Sequence, residues 1–301
     1  MDDGSIIAID EVEHGLEPHR LAQVLHHLKK RTEGGNLQVI MTTHSPITVK
    51  TLSAVDLVVV RADGTGVTTC QPVPEDLDNV QGTFRIAPEA LLGRRVLVGE
   101  GATEVGFLRG LLRHWDAQRI AAEQPGAASL GVVLVNGGGG TQSTKRAQHF
   151  QQLGYPACLL VDNDDRAIDK SVRQAMDSGV SVYRWGPGNA IEDEIIQTLG
   201  AKGLQALVDL AVEIRGEHSI RANVGASLNN DQLTGTDFAS WQAQAGVNET
   251  EIRGAIAAAA TARDKEWFKR EDRGEELAEV VIRHWADLDS THLMKVIDDL
   301  Q

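Results

Sequence analysis

The sequence predicts an α/β protein in which a mostly parallel sheet is flanked by helices. Two observations predict this class. Short apolar runs alternate with segments of helical periodicity between residues 95 and 185, and parallel strands need such crossover connections. From about residue 191 onward the patterns are helical, without an internal repeat. The length of 301 residues indicates about two or three domains, which we place at residues 1–84, 85–200 and 201–301.

The first domain is expected to start with a strand that delivers two carboxylates. An apolar run at residues 6–9 ends in Asp10 and Glu11, which is typical of a fully buried strand. Pro18 then opens a helix that stops at two glycines, 34 and 35. A second buried strand at 37–42 leads into His44, and a hairpin pairs 57–61 with 66–69 through a turn at 62–64. Residues 72–88, with three of the eight prolines, are expected to be a linker.

The second domain is expected to alternate strands and helices, and the third to be helical. Ligands of such parallel sheets bind at the carboxyl ends of the strands. The predicted elements are, in order, strand 95–99, helix 103–115, strand 132–136, helix 141–153, strand 157–162, helix 167–178 and strand 180–185, followed by helices that include 252–262 and 277–285.

Composition narrows the function classes. With 42% hydrophobic and 24% charged residues the chain is typical of a soluble globular protein. Its 29 basic and 43 acidic residues give a net charge of −14, which argues against a surface that coats nucleic acid or anionic membrane as a whole. A local nucleic-acid site is still allowed where carboxylates gather around divalent cations and basic residues lie beside them.

The cysteine content and the absence of targeting patterns both indicate the cellular compartment. The two cysteines, Cys70 and Cys158, are far apart, so a disulfide framework or a structural zinc site is not expected. The sequence has neither a secretory leader pattern nor the roughly 18 apolar residues of a membrane span. We therefore expect a cytoplasmic protein with no membrane partner.

The strongest chemical signal is a set of acids at the predicted strand ends. Glu100 ends the first strand of the second domain, Glu104 enters the following helix, and Asp162 and Asp164 end the third strand, with Asp165 next to them. A single Asp-x-Asp is commonly a turn or a helix cap. Several carboxylates at one sheet edge, however, would repel each other by several kcal/mol unless divalent cations were bound. Ligands that are oxygen alone favour Mg²⁺ or Mn²⁺.

A second cation is expected from the acids after the fourth strand. Among Glu192, Asp193 and Glu194 we favour Glu192 and leave the other two open. Two cations about 4 Å apart stabilise both the attacking and the leaving oxygen of a phosphodiester displacement. The acids therefore predict phosphoryl-transfer chemistry.

Asn136 and the four glycines 137–140 end the second strand of this domain. They are either a flexible turn or a loop whose backbone N–H groups approach a phosphate closely.

Two motifs make a family resemblance specific. Residues 96–104 (VLVGEGATE) and 159–164 (LLVDND) resemble the two motifs of a Toprim domain, the metal-dependent module of topoisomerases, bacterial primases and OLD-family nucleases. The similarity covers about residues 90–200 and implies a Toprim-type sheet. It also implies that Glu100, Glu104, Asp162 and Asp164 are metal ligands, with Glu100 also placed for acid or base work.

The first domain resembles the C-terminal part of an ABC-type ATPase. Residues 6–11 look like a Walker B strand, in which Asp10 would hold the Mg²⁺ shell and Glu11 would position the attacking water, and His44 resembles the switch histidine. Residues 15–18 (GLEP) resemble the loop that meets the partner subunit in RecF- and SMC-like members, which implies a homodimer through this domain.

The ATPase is expected to be incomplete. No Gly-x-x-x-x-Gly-Lys-Ser/Thr loop or Ser-Gly-Gly signature occurs. We expect the sequence to be the C-terminal part of a longer polypeptide, with ATP bound only by the complete protein and no appreciable hydrolysis by this chain.

An ABC ATPase running into a Toprim domain resembles the OLD (overcoming lysogenization defect) family of nucleases, which includes the nuclease subunit of Gabija-type phage defence. The resemblance implies a DNA endonuclease that works by two-metal hydrolysis. A helicase partner is consistent with it, and both phage defence and DNA repair stay open as roles.

Basic residues supply the remaining candidates. Residues 263–270 (RDKEWFKR) place four bases around a Trp-Phe pair, either as a solvated helix face or as part of the site. OLD-like nucleases have a lysine after the Toprim core, so Lys269, with Lys265 in reserve, would stabilise charge on the scissile phosphate. Further bases could contact a DNA backbone or be ordinary surface charges, namely Arg109, Arg113, Lys145 and Arg146.

Four other interpretations compete with a nuclease. A topoisomerase needs a nucleophilic tyrosine, but Tyr155 and Tyr183 lie beside predicted strands, and a primase would need zinc-binding cysteines that this chain lacks. A receiver-like domain phosphorylated on Asp162 fits the Gly-Glu-Gly-x-x-Glu strand end poorly. The main alternative is a RecF- or SMC-like ATP-gated DNA-binding clamp whose Toprim domain is structural.

Overall fold

The computed structural model describes residues 4–62 and 65–301, and the predicted turn at 62–64 falls largely on residues outside this range. The chain forms two compact units. One consists of Met1–Val96 with His149–Pro156, and the other of Leu97–Gln148 with Ala157–Gln301. Residues 149–156 belong to the first unit because the His149 ring nitrogen Nδ1 lies 2.8 Å from the hydroxyl of Thr83, and because Arg61 stacks on the ring of Tyr155.

The first unit begins with two parallel strands joined by a helix. β1 (Ser5–Ile9) pairs in register with β2 (Leu37–Met41), and α1 (Pro18–Thr32) connects them. Proline suits the first turn of α1 because its missing N–H has no intrahelical partner there, and three bases in the last turn favour the helix dipole. The side chains of Leu21 and Leu25 form one buried cluster of this unit with Val12.

The prediction that these two strands are fully buried is wrong. Ile6 is 68% exposed and Ile40 is 57% exposed. In the described part of the chain β1 and β2 pair only with each other, and the partly buried side chains of β2 alternate with exposed ones. β2 therefore has one partly covered face, whereas in β1 all residues except Ile9 are exposed.

The rest of the first unit is a short helix, a hairpin and a further helix. α2 (Pro46–Thr51) is capped by Ser45, whose hydroxyl accepts from the N–H of Ile47. The predicted hairpin is present as the antiparallel pair β3 (Val58–Ala62) and β4 (Thr68–Pro72). The predicted linker is wrong in its second half, because α3 (Val80–Ile86) forms there and buries Val80 and Phe84.

The second unit is built on a four-stranded sheet with the order β6-β5-β7-β8. Its strands are β5 (Arg95–Gly99), β6 (Val132–Asn136), β7 (Ala157–Val161) and β8 (Ser181–Arg184), and β7 and β8 are parallel. The connecting helices are α4 (Ala102–Ala121), α5 (Gly140–Gln152) and α6 (Asp169–Asp177). The predicted α/β class, a parallel sheet flanked by helices, is confirmed.

Helices follow the sheet to the end of the chain. They are α7 (Ile191–Thr198), α8 (Ala201–Arg215), α9 (Glu217–Leu228), α10 (Phe238–Ala245), α11 (Glu249–Ala260), α12 (Glu271–Arg283) and α13 (His292–Leu300). A close crossing joins α12 to α4, where Gly274 and Gly106 meet without side chains between them. No helix in the described residues is both long and apolar enough to span a membrane.

The basic segment 263–270 is not a helix. It lies in the irregular connection between α11 and α12, where Asp264 adopts a left-handed conformation with φ +64°. Trp267 and Phe268 are buried in the core of the second unit, so the predicted Trp-Phe anchor is confirmed. This anchor fixes the connection while its lysines stay at the surface.

Candidate metal centre

Glu100 joins two strand ends. It follows β5, and its Oε2 accepts a hydrogen bond of 2.9 Å from the backbone N–H of Asp162, the residue after β7. Its Oε1 accepts one of 2.8 Å from the N–H of Gly140 at the start of α5. The carboxyl ends of neighbouring parallel strands lie at the same sheet edge, and here that edge brings Glu100 and Asp162 into direct contact.

Glu104 lies beneath this edge, in the first turn of α4. It is only 5% exposed, and its Oε2 accepts a hydrogen bond of 2.7 Å from the N–H of Gly101. Burial raises the pKa of Glu104 to about 7, repulsion from Glu100 adds to the rise, and Lys269 opposes it. A buried carboxyl favours its neutral form unless a positive charge lies near.

The half-buried Asp162 and the buried Glu192 complete the group. Asp162 accepts a hydrogen bond of 3.1 Å from the N–H of Ile191, the first residue of α7. Burial raises the pKa of Asp162 strongly, and repulsion from Glu104 and Glu192 raises it further. Glu192 is 7% exposed, and burial followed by repulsion from Glu104 raises its pKa to about 8. Each of these acids destabilises the charge of the others.

The other acids that follow the fourth strand have separate tasks. Asp193 accepts from the N–H of Ala190 and caps α7. Glu194 accepts from the N–H of Gly186 and from the amide of Asn189, and its other oxygen lies 3.2 Å from His292. The structure therefore brings Glu192 to Glu104 and engages its two neighbours elsewhere.

Of the two acids that follow Asp162 after β7, one acts on half-buried acids and the other caps a turn. Asp164 is exposed, and its charge acts on Asp162 and Asp193. Asp165 accepts from the N–H of Ala167 and caps a short 3₁₀ turn, which is the ordinary role of such an acid. We define the acid cluster as Glu100, Glu104, Asp162, Asp164 and Glu192.

The glycine loop holds Glu100 rather than presenting free N–H groups. Gly137 donates to the carbonyl of Gly99, and Gly139 and Gly140 donate to the backbone and side-chain oxygens of Glu100. A Cβ at Gly137 would lie 2.7 Å from the carbonyl oxygen of Gly99. These N–H groups already bind oxygens at the end of β5 and are not free to bind a phosphate. The interpretation as a phosphate-binding loop is therefore not supported.

Of the two candidate lysines, Lys269 is the one at the acid cluster. Its charge lowers the pKa of both Glu104 and Glu192, while its side chain stays 71% exposed. The hydroxyl of Thr103 in α4 donates to the carbonyl of Phe268, which ties this connection to the start of α4. Lys265 instead lines a hollow whose wall contains none of the five acids.

The four arginine and lysine candidates for DNA contact are placed differently. Arg109 forms ion pairs of 2.9 Å with Glu271 and 3.1 Å with Glu275, and Arg113 binds Glu275 as well. These ion pairs join α4 to α12. Arg109 and Arg113 therefore link two helices and are not unpaired surface charges.

Arg146 and Lys145 lie on α5. Arg146 donates a hydrogen bond of 2.7 Å to the carbonyl of Asn136 and lies against Gly138, and burial lowers its pKa. Arg146 thus supports the glycine loop rather than projecting from the surface. Lys145 is exposed.

The nucleotide-site candidates lie in the first unit and are held by residues that the sequence did not single out. Thr42 donates a hydrogen bond of 2.6 Å to Asp10 and accepts one of 2.8 Å from the N–H of Glu11, which has φ +47°. Glu13 accepts from the N–H of His44 at 2.6 Å.

Glu13 was missed because nothing in its spacing distinguishes it from a surface acid. Burial alone would raise the pKa of Glu13, but hydrogen bonds from Thr43 and His44 outweigh burial and hold it below the ordinary value. A charged Glu13 fixes the backbone at His44.

The donor set of the acid cluster fits hard divalent cations. Carboxylate oxygens are the ligands that Mg²⁺ and Mn²⁺ prefer, and buried mutually repelling carboxyls gain most from a cation. Within the described residues no three His, Cys, Asp or Glu side chains surround a common point as they stand. The reason is visible at Glu100, Glu104 and Asp162, each of which directs oxygens to backbone N–H groups.

Comparisons with known proteins find similarity to one family model and to solved structures. Residues 1–50 match a family model described as "AAA domain, putative AbiEii toxin, Type IV TA system", so an ATPase-like signal covers the segment that contains Asp10, Glu11 and His44. No curated protein matches. Among solved structures, the C-terminal region of the Xanthomonas campestris pv. campestris OLD protein is similar at 15% sequence identity with a TM-score of 0.28, over 66% of this chain and 99% of that chain.

Proposed function

We propose that this chain is the nuclease part of an OLD-like ATPase–nuclease, and that it cleaves DNA phosphodiesters with Mg²⁺ or Mn²⁺. The observation that carries the proposal is the acid cluster, in which Glu104, Asp162 and Glu192 are forced together with raised pKa values. Strongly perturbed acids that share one site are typical of functional centres. The Toprim-like motifs around Glu100 and Asp162 support the same conclusion.

The acid cluster would hold the cations. When bound, a pair of divalent cations neutralises these carboxylates and stabilises charge on the attacking and leaving oxygens of the phosphodiester. Glu100 is fixed by two backbone N–H groups, which gives it the defined orientation that a general base needs to accept a proton from water.

Lys269 completes the chemistry of the site. Its ammonium group lies 3.6 Å from Glu266 and is largely exposed, and its charge lowers the pKa of Glu104 and Glu192. A phosphate approaching the acid cluster would meet this positive charge. A cation in this position stabilises charge that develops on the phosphate during displacement.

The proposal assigns residues 1–84 to an ATPase portion, 85–200 to the catalytic Toprim domain and 201–301 to a helical region. In the complete protein Asp10 and Glu11 would act on ATP and its Mg²⁺, with His44 at the terminal phosphate and a homodimer through this portion. The chain alone should hydrolyse no appreciable ATP, because the lysine-bearing phosphate loop supplies the main contacts to the triphosphate.

Plasmid cleavage tests the proposal. Supercoiled plasmid is incubated with the chain and Mg²⁺ or Mn²⁺, and with chelator, and nicked and linear forms are measured on gels. Glu100→Gln and Asp162→Asn keep the size of each side chain and remove its charge, and both should reduce cleavage at least about 100-fold. Asp177→Asn, an exposed acid near the end of α6, is the matched control and should cut like the wild type.

Two outcomes contradict the nuclease. Equal cleavage by the wild type and both isosteric variants would show that the activity comes from elsewhere. DNA binding with no cleavage in either metal would favour the RecF- or SMC-like clamp, in which the Toprim domain is structural.

A further inference from the structure

The second unit carries a basic hollow away from the acid cluster. It has a volume of about 400 Å³ and lies where the end of α8, the first turns of α9 and the 261–270 connection meet. Its wall includes Arg215, His218, Ser219, Asn223, Asp264 and Lys265. We call it the Lys265 hollow.

The charge in the Lys265 hollow is opposite to that of the chain. Arg215 and Lys265 are positive, and Asp264 is the one carboxylate in its wall, whereas the whole chain has a net charge of −14. Arg215 donates to the backbone carbonyl of Glu266, which holds the guanidinium group in place. Since a guanidinium group has five donors, this bond leaves the group able to bind an anion as well.

Neutral donors lie beside the two cations. His218 and Ser219 are the second and third residues of α9, so the hollow also faces the end of this helix at which the dipole is positive. Ser219 and Asn223 add side-chain hydroxyl and amide donors. Cations, hydroxyls and amides in one wall are the groups that contact phosphates in nucleic-acid complexes.

The hollow and the acid cluster are linked by one rigid stretch of chain. Lys265 and Lys269 are four residues apart, and the two residues before Lys269 are buried: Trp267 and Phe268 are at most 1% exposed. Four extended residues span at most about 14 Å. One nucleic-acid strand advances about 3.4 Å per nucleotide along its helix, so the backbone positions of the two lysines are at most about four nucleotides apart.

We propose that the Lys265 hollow is a second phosphate-binding subsite, which holds a phosphodiester group of the nucleic acid a few nucleotides away from the bond at the acid cluster. The assignment of a scissile bond rests on the proposed function, but the subsite itself does not. The substrate is then a polynucleotide long enough to reach both places.

The salt dependence of binding tests this subsite without cleavage. A fluorescent DNA duplex of about 20 base pairs is titrated with the chain in chelator at several salt concentrations, and affinity is read from anisotropy. Each phosphate contact contributes about 0.9 to the slope of log affinity against log salt. Lys265→Ala should make the slope shallower by about 0.9, so that between about 50 and 200 mM salt the variant loses about 3.5-fold less affinity than the wild type.

Two controls separate a local contact from general charge. Lys265→Arg keeps the charge and should keep the wild-type slope. Lys202→Ala removes an exposed lysine of α8 that does not line the hollow, and it should leave the slope unchanged. Lys265 is itself exposed, so its replacement leaves the core intact, and thermal unfolding at the wild-type temperature checks this.

Each result decides the proposal. An unchanged slope in Lys265→Ala overturns it, and so does an equal loss in Lys202→Ala, which would indicate diffuse attraction. A hollow that serves a free nucleotide would also leave the slope of duplex binding unchanged. If the slope falls but plasmid is not cut in either metal, the subsite stands and the proposed nuclease fails.

Discussion

Replacing Glu192 by glutamine measures how much the charge of this buried acid lowers the free energy of unfolding. Burial raises the pKa of Glu192 from 4.5 to about 8. Between these values the unfolded chain has released the proton and the folded chain retains it, so the free energy of unfolding falls as pH rises through this window. At about 1.36 kcal/mol for each pH unit, the full difference is about 5 kcal/mol.

Glutamine has the shape of the protonated acid and no charge to release. In chelator, Glu192→Gln should therefore match the wild type near about pH 4 and exceed its unfolding free energy by several kcal/mol near about pH 9. Denaturant unfolding at each pH measures the difference, and adding Mg²⁺ should stabilise the wild type more than the variant. A wild type whose stability relative to the variant is constant across this range would refute the reasoning.

Glu194→Gln is the matched control on the same helix. Glu194 is equally buried but accepts hydrogen bonds from Gly186 and Asn189 and contacts His292. Neutralising it removes a charged acceptor that is already satisfied, so stability should fall by about 1–3 kcal/mol. The change in unfolding free energy should thus be positive for Glu192→Gln and negative for Glu194→Gln. This difference would show that the charge of Glu192 destabilises the fold and that of Glu194 stabilises it.

Two further predictions concern glycines. Gly137→Ala should lower the melting temperature and plasmid cleavage together, because a Cβ there would lie 2.7 Å from the carbonyl oxygen of Gly99 and push the loop off Glu100; normal cleavage in this variant would contradict the role given to the loop. Gly106→Ala should cost about 3 kcal/mol in chemical unfolding, because its Cβ would lie 2.9 Å from the Cα of Gly274 across the helix crossing. Gly254→Ala, in an open helical position, should instead gain up to about 1 kcal/mol, and an equal loss at both sites would refute the packing argument.

Strand ends were predictable and side-chain partners were not. Glu100 and Asp162 could be brought together from sequence, because the alternation of strands and helices fixes which edge carries the carboxyl ends. Arg109 and Arg113, four residues apart on a helix, fit a DNA backbone and a row of glutamates equally well. Only the crossing of α4 and α12 shows that Glu275 lies opposite both of them.

The irregular segment 263–270 and the exposure of β1 could not be predicted, because both depend on neighbours that are distant in sequence. Lys265 and Lys269 both suit a helix face, but the segment is irregular, and the left-handed conformation of Asp264 has no sequence signature of its own. The apolar run of β1 predicts burial on both faces, but burial depends on which neighbours cover the sheet, and Ile6 stays exposed.

The double hydrogen bonding of Glu100 means that the two strand ends are locked together before any ion arrives. The amide hydrogens of Asp162 and Gly140 point at its two oxygens, so both should exchange slowly with solvent deuterium in the metal-free protein. An incoming cation would have to compete with these two N–H groups for the oxygens of Glu100, so metal binding should speed the deuterium exchange of both amides.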